Sequence, residues 1–251
     1  MKTRTSASLS LSQVISGFVG FVLFALAIWT ISQTLKQYPP REVIQSLNAI
    51  PDQSLILAIA CMAMNYIVLA GYDGLAMRYL RRSLPPQKTI LVGFVSYAIS
   101  NNVGFALLSG SAIRYHFYSR WGLSKIEIAQ IVGFCHLNFW IGLFTVGGVL
   151  FIIEPLQFPD WLHLPVSVQS IGAIFLAIVF SYFFWNLLSH RKSFRIGRWT
   201  IPHLSWQLSL TQIIITSMDW GLAAGVLYLL LPQSTSLSYQ GFFGIYLLAK
   251  V

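Results

Sequence analysis

Apolar residues along this chain gather into long runs with almost no charge, separated by short polar segments. The runs cover 13–35, 54–80, 88–110, 129–153, 166–188 and 208–231, and another opens at 238. Each closed run reaches the roughly 20 residues with which a helix crosses a bilayer, and none keeps the alternation of a half-buried strand. All ten prolines lie outside them, which marks the run ends, because proline in a helix interior clashes and removes a hydrogen bond. The first run is too long for the apolar core of a signal peptide and lacks a small-residue cleavage site, so it reads as a retained membrane helix. The pattern predicts an all-α, polytopic transmembrane helical bundle forming a single integral membrane domain over 1–251.

One run departs from the rest. Ser100, Asn101, Asn102 and Gly104 interrupt 88–110, and a basic, aromatic stretch with Arg114, Tyr115, Tyr118, Arg120 and Trp121 follows. A side-chain amide in hydrocarbon costs free energy unless something pairs with it. Two architectures meet that condition: one continuous helix whose amides pack against neighbours, or a re-entrant helical hairpin over 88–113 that turns at Asn101–Gly104. The twelve residues Thr89–Ser100 rise about 18 Å as a helix, a little over half of a hydrocarbon core about 30 Å thick.

Charge favours the hairpin. If the segment enters and leaves on one side, thirteen of the sixteen Lys and Arg residues share the cytoplasmic face with the N-terminus; only Lys36 and Arg41 lie outside, and Lys250 is in the last run. A full crossing leaves six inside and nine outside, against the tendency of cytoplasmic loops to hold the basic residues. Composition narrows the class further. With 56% hydrophobic and 9% charged residues, the chain has too little polar surface to cover a water-soluble core. The net charge of +9 flanks apolar runs and so suits anionic lipid headgroups rather than nucleic acid. Cys61 and Cys135 sit within apolar runs and are expected as free thiols.

Polar residues deep in the runs carry the candidate chemistry. Asp219 and Asn138 fall about 16 Å and 14 Å into their helices, level with Asn101 and Asn102. A carboxylate at helix centre costs about 2.5–3.5 kcal/mol, so Asp219 must face a partner or a hydrated cavity. It either lines an acidic pocket for a cationic group or hydrogen-bonds to Asn138 or His136. Asp73, about 28 Å along its helix, is near the cytoplasmic interface; a local pair with Arg78 or helix-end solvation is expected, with Tyr72 as an interface aromatic. Arg114, Tyr118 and Trp121 recur at helical spacing. Arg114 could grip a phosphodiester through paired donors or serve as a basic anchor. The candidate substrate-binding set is Asn101, Asn102, Asp73, Arg114, Tyr118, Asn138 and Asp219. No phosphate-binding glycine loop, zinc-ligand pair or nucleophile elbow is found, so no catalytic residue, metal or cofactor is expected, and whether the protein is an enzyme stays open.

Three stretches, GYDGLAMRYLRRSLP at 71–85, FVSYAISNNVGFALLSGSAIRYHFYSRWGLSKIEIAQIVGFC at 94–135 and SMDWGLAAGVLYLLLP at 217–232, resemble the membrane (flippase) region of the lysylphosphatidylglycerol synthetase and flippase family, the multiple peptide resistance factor. The resemblance implies a multi-pass bacterial inner-membrane protein that moves aminoacylated phosphatidylglycerol to the outer leaflet, lowering surface negative charge and protecting against cationic antimicrobial peptides. Nothing here corresponds to the family's soluble synthetase domain. The last run rises only about 21 Å from Ser238, too short to span, so the chain is expected to be C-terminally truncated relative to the family. The rival expectation is a non-catalytic membrane scaffold or subunit supporting a phosphatidylglycerol lysyltransferase. Expected partners are phosphatidylglycerol or its lysylated form, other anionic lipids, a second copy of the chain, and a C-terminal or separate synthetase domain.

Overall fold

In the computed structural model the chain divides at Pro51 into two compact units, Met1–Pro51 and Asp52–Val251. The structure describes residues 48–103, 106–153, 167–188, 194–196, 199–201, 204–231 and 237–250, with isolated positions at 29, 32, 41, 44 and 45. Apart from Trp29 and Ser32, both helical, the expected first span lies outside the described residues.

The helices of the second unit are α1 (Asp52–Tyr79), α2 (Pro86–Val103), α3 (Ala106–Arg120), α4 (Lys125–Ile153), α5 (Val168–Leu188), α6 (Trp206–Leu229) and α7 (Tyr239–Lys250). Four of them, α1, α4, α5 and α6, are long and apolar enough to cross a membrane, close to the bounds expected at 54–80, 129–153, 166–188 and 208–231. The outer face of α5 leaves Phe180, Phe184, Trp185 and Leu188 bare, Trp185 to 74%. Such a stripe is unfavourable in water and costs nothing against acyl chains. The bundle is a polytopic helical membrane fold. Besides the helices, β1 (Phe194–Ile196) and β2 (Trp199–Ile201) form a short antiparallel ribbon in the basic loop, which the sequence pattern did not signal.

The interrupted run folds as two helices, not one. α2 and α3 lie antiparallel, with the Arg114 guanidinium 4.9 Å from the Tyr97 ring centroid and Ser109 donating to Ser100 at 3.3 Å. α2 runs through Val103, so Asn101 and Asn102, expected to form the turn, belong to its last helical turn. Proline at the first position of α2 needs no hydrogen-bond partner for a missing N–H. Two glycines let the hairpin close and dock. A Cβ on Gly93 would stand 2.9 Å from the Ala70 backbone of α1, and one on Gly110 would stand 2.7 Å from Ser100 Oγ.

The exit from the hairpin is equally specified. Gly122 adopts φ 85° while Leu123 N–H donates to Tyr118 O at 3.0 Å, the glycine-terminated helix end in which a left-handed residue satisfies orphan carbonyls. Two residues later, Ser124 and Glu127 cap each other's backbone N–H groups at 3.3 Å and 2.8 Å, the reciprocal box that starts α4. The hairpin is thereby wedged against α1 and α4, with Val92, Tyr118, Leu75, Ile131 and Phe134 in one buried cluster.

Candidate functional site

The helices of the second unit line a half-open cavity of about 490 Å³. Its acidic wall is Asp219 on α6. Tyr72 Oη donates to Asp219 Oδ2 at 2.8 Å, and Asn65 Nδ2 donates to Oδ1 at 2.7 Å and to the Asp219 carbonyl at 2.9 Å. Asn65, Leu69 and Tyr72 sit at i, i+4 and i+7 of α1, one stripe of the helix, and all three line the cavity. The carboxylate is thus held by two neutral donors, and no lysine or arginine forms an ion pair with it among the described residues.

Aromatic rings supply most of the remaining surface. Phe139, Trp140, Trp220 and Tyr246 line the cavity, with Phe139 and Trp220 centroids 5.1 Å apart and the Trp220 N–H donating to Phe139 O at 3.3 Å. A carboxylate and aromatic rings in one cavity both attract a cation. Lys250, at the end of α7, also lines the cavity, its ammonium 5.9 Å from the Tyr246 centroid.

A second polar cluster lies behind this wall. Arg114 donates through Nε to Asp73 Oδ1 at 3.0 Å and through Nη2 to Oδ2 at 2.8 Å, and Tyr118 Oη donates to Oδ1 at 2.8 Å. Asp73 and Tyr118 are fully buried and Arg114 is 5% exposed. The clamp ties α3 to α1.

The structure sorts the candidate residues. Asn101, Arg114 and Asp219 line the cavity. Asp73 and Tyr118 do not; they hold Arg114. The expected pair between Asp73 and Arg78 is corrected, since Arg78 is exposed and residues five apart do not share a helix face. Arg114, expected to grip a phosphodiester, places Nε and one Nη2 N–H on Asp73, two of the five N–H donors of a guanidinium. Tyr72 is no interface aromatic: it is 2% exposed and supports Asp219. Asn102 is exposed and donates back to Ala98 O at 2.8 Å, so it does not join the site. Asn138 does not meet Asp219 either. Its carbonyl oxygen accepts from Gln212, whose own oxygen accepts from Tyr182 at 2.6 Å, a chain linking α4, α6 and α5. The depth assigned to Asn138 placed it at the right level but not on the right face. Cys135, His136, Phe139 and Trp140 form the lining stripe of α4, and Asn138 points about 130° away from its centre.

This architecture defines a class, the polytopic helical membrane proteins, here with a helical hairpin that lines a largely aromatic cavity. No protein-family model matches the chain. It is 52% identical over 236 residues to the protein slr0712 of Synechocystis sp. (strain ATCC 27184 / PCC 6803 / Kazusa), covering 93% of this chain and 72% of that one, and it belongs to the same family. More distant similarity extends to the inner membrane protein YbhN of Escherichia coli (strain K12), 26% identical over 84% of this chain and 64% of YbhN. Phosphatidylglycerol lysyltransferase of Staphylococcus xylosus is 24% identical over 91% of this chain, which spans 26% of the enzyme's length. The resemblance read at 71–85, 94–135 and 217–232 therefore stands as a distant kinship.

Proposed function

We propose that this protein is a lipid-translocating module of a bacterial inner membrane, whose cavity receives the ammonium of an aminoacylated phosphatidylglycerol headgroup at Asp219 and passes it toward the outer leaflet. One observation carries the reading: a carboxylate in an aromatic cavity, held by Asn65 and Tyr72 and by no cation among the described residues. Asp73, by contrast, is matched by a basic partner. The distant phosphatidylglycerol lysyltransferase relatives support the choice of lipid. In this reading the N-terminus is cytoplasmic, α2 and α3 dip into the bilayer and return, and display of lysyl lipid outside lowers the attraction of cationic peptides.

The test is Asp219→Asn, which keeps side-chain size and removes the charge. Outer-leaflet lysyl lipid is measured at equal protein and total lipid levels. A fall of about tenfold is expected if one charge-assisted contact is lost. Unaltered exposure would favour a scaffold for a separate lysyltransferase.

A further inference from the structure

Arg114 and Asp73 neutralise each other, so the cavity wall carries two further charges of opposite sign: the Asp219 carboxylate on α6 and the Lys250 ammonium at the end of α7. Among the described residues the ion pairs are Arg114–Asp73 and Arg82–Glu127, so these two charges share a cavity without pairing. Each is engaged elsewhere. Asn65 and Tyr72 hold the carboxylate, and Tyr246 lies beneath the ammonium. A cavity with a negative and a positive group on its wall presents a dipole, and the ligand it complements carries the reverse dipole.

We infer that Lys250 is the phosphate-contacting residue of this cavity, and that the lipids it selects carry an ammonium and a phosphate in one headgroup. The inference rests on the reading of Asp219 as the ammonium site. It gives the role to Lys250 because Arg114, also on the wall, is already charge-neutralised by Asp73 through Nε and Nη2. Lysine binds phosphate as a point charge and needs no fixed bidentate geometry. The selection has a consequence for substrate class. Zwitterionic phosphatidylethanolamine matches the cavity's polarity as a lysylated phosphatidylglycerol does. Unmodified phosphatidylglycerol brings only an anion and leaves Asp219 facing like charge, a repulsive contact that discriminates against it.

The experiment titrates the purified full chain in neutral detergent with dioctanoyl phosphatidylethanolamine, dioctanoyl phosphatidylglycerol, octylammonium and inorganic phosphate, by calorimetry. Lys250→Gln is expected to weaken phosphatidylethanolamine binding about tenfold, the scale of one lost charge contact, while octylammonium binding is unchanged. Asp219→Asn is expected to weaken both. Thermal unfolding of each variant checks that the fold is retained. The inference is overturned if Lys250→Gln leaves phosphatidylethanolamine affinity intact, or if inorganic phosphate binds as tightly as the lipid. If octylammonium binding survives Asp219→Asn, the ammonium site itself is wrong, a failure distinct from that of Lys250.

Discussion

Asp73 and Arg114, distant in sequence, meet through two parallel hydrogen bonds of 3.0 Å and 2.8 Å in a site from which water is almost wholly excluded. Removing one member leaves the other charge buried without a partner, which costs about 3–5 kcal/mol, whereas replacing both by apolar residues of similar volume is often neutral. Asp73→Asn is therefore expected to lower the unfolding midpoint in detergent sharply. Asp73→Leu combined with Arg114→Met should recover most of it. A double variant as unstable as the single one would mean that the pair does more than neutralise charge.

Tyr72 separates support from substrate contact at Asp219. Tyr72→Phe deletes one donor to the carboxylate and leaves Asn65 in place. A hydrogen bond between membrane helices contributes about 0.6 kcal/mol on average, so stability should barely move. Affinity for octylammonium should nonetheless change several-fold, because the carboxylate is no longer aimed. Equal affinity in calorimetric titration would show that Tyr72 is packing alone.

The spans were readable because an apolar run of bilayer length has few other uses, and the hairpin was readable because paired amides and charge counting pointed the same way. Helix faces were the harder part. Depth along a helix follows from residue number, but direction around it depends on which neighbour packs where. Asn138 and Asp219 share a level and point to different partners. Arg78 is closer to Asp73 in sequence than Arg114 is, yet proximity along the chain did not decide the pairing. One signal was present and unused: Asn65, Leu69 and Tyr72 form a single stripe on α1 beside Asp73, an amide and a phenol on the face of a membrane helix.

Close backbone approach predicts the effect of adding volume. Gly93 on α2 lies so near Ala70 of α1 that a Cβ would be 2.9 Å from its Cα and carbonyl oxygen. Backbone cannot step aside as a flexible side chain does, so Gly93→Val should force the hairpin away from α1 and cost about 1–3 kcal/mol as overpacking. The accompanying loss of the Asp73 clamp would appear as protease sensitivity between α2 and α3. Wild-type thermal stability in this variant would disprove the tight crossing.

Arg81 offers the opposite change. It ends α1 with φ 55° while Arg82 N–H reaches back to Met77 O at 3.0 Å, a left-handed position where a side chain costs about 1–2 kcal/mol relative to glycine. Arg81→Gly should raise the unfolding midpoint in detergent, and Arg81→Val should lower it. An unchanged midpoint in both would indicate that the helix end frays.

The hairpin's two ends lie together. Lys88, near the start of α2, stands 4.8 Å over the Trp121 ring just past α3, and Arg82 pairs with Glu127 across the same entrance. Whatever the orientation of the bundle, positions 88 and 120 must then share one side of the membrane, which a single crossing helix forbids. With Cys61 and Cys135 replaced by alanine, Lys88→Cys and Arg120→Cys are each labelled in sealed right-side-out and inverted vesicles with an impermeant maleimide. Both should react from the same face, the cytoplasmic one if the basic loops stay inside. Labelling of position 120 from the face opposite to 88 would replace the hairpin by a full crossing, and the cavity at Asp219 would lose the wall that Asn101 and Arg114 contribute.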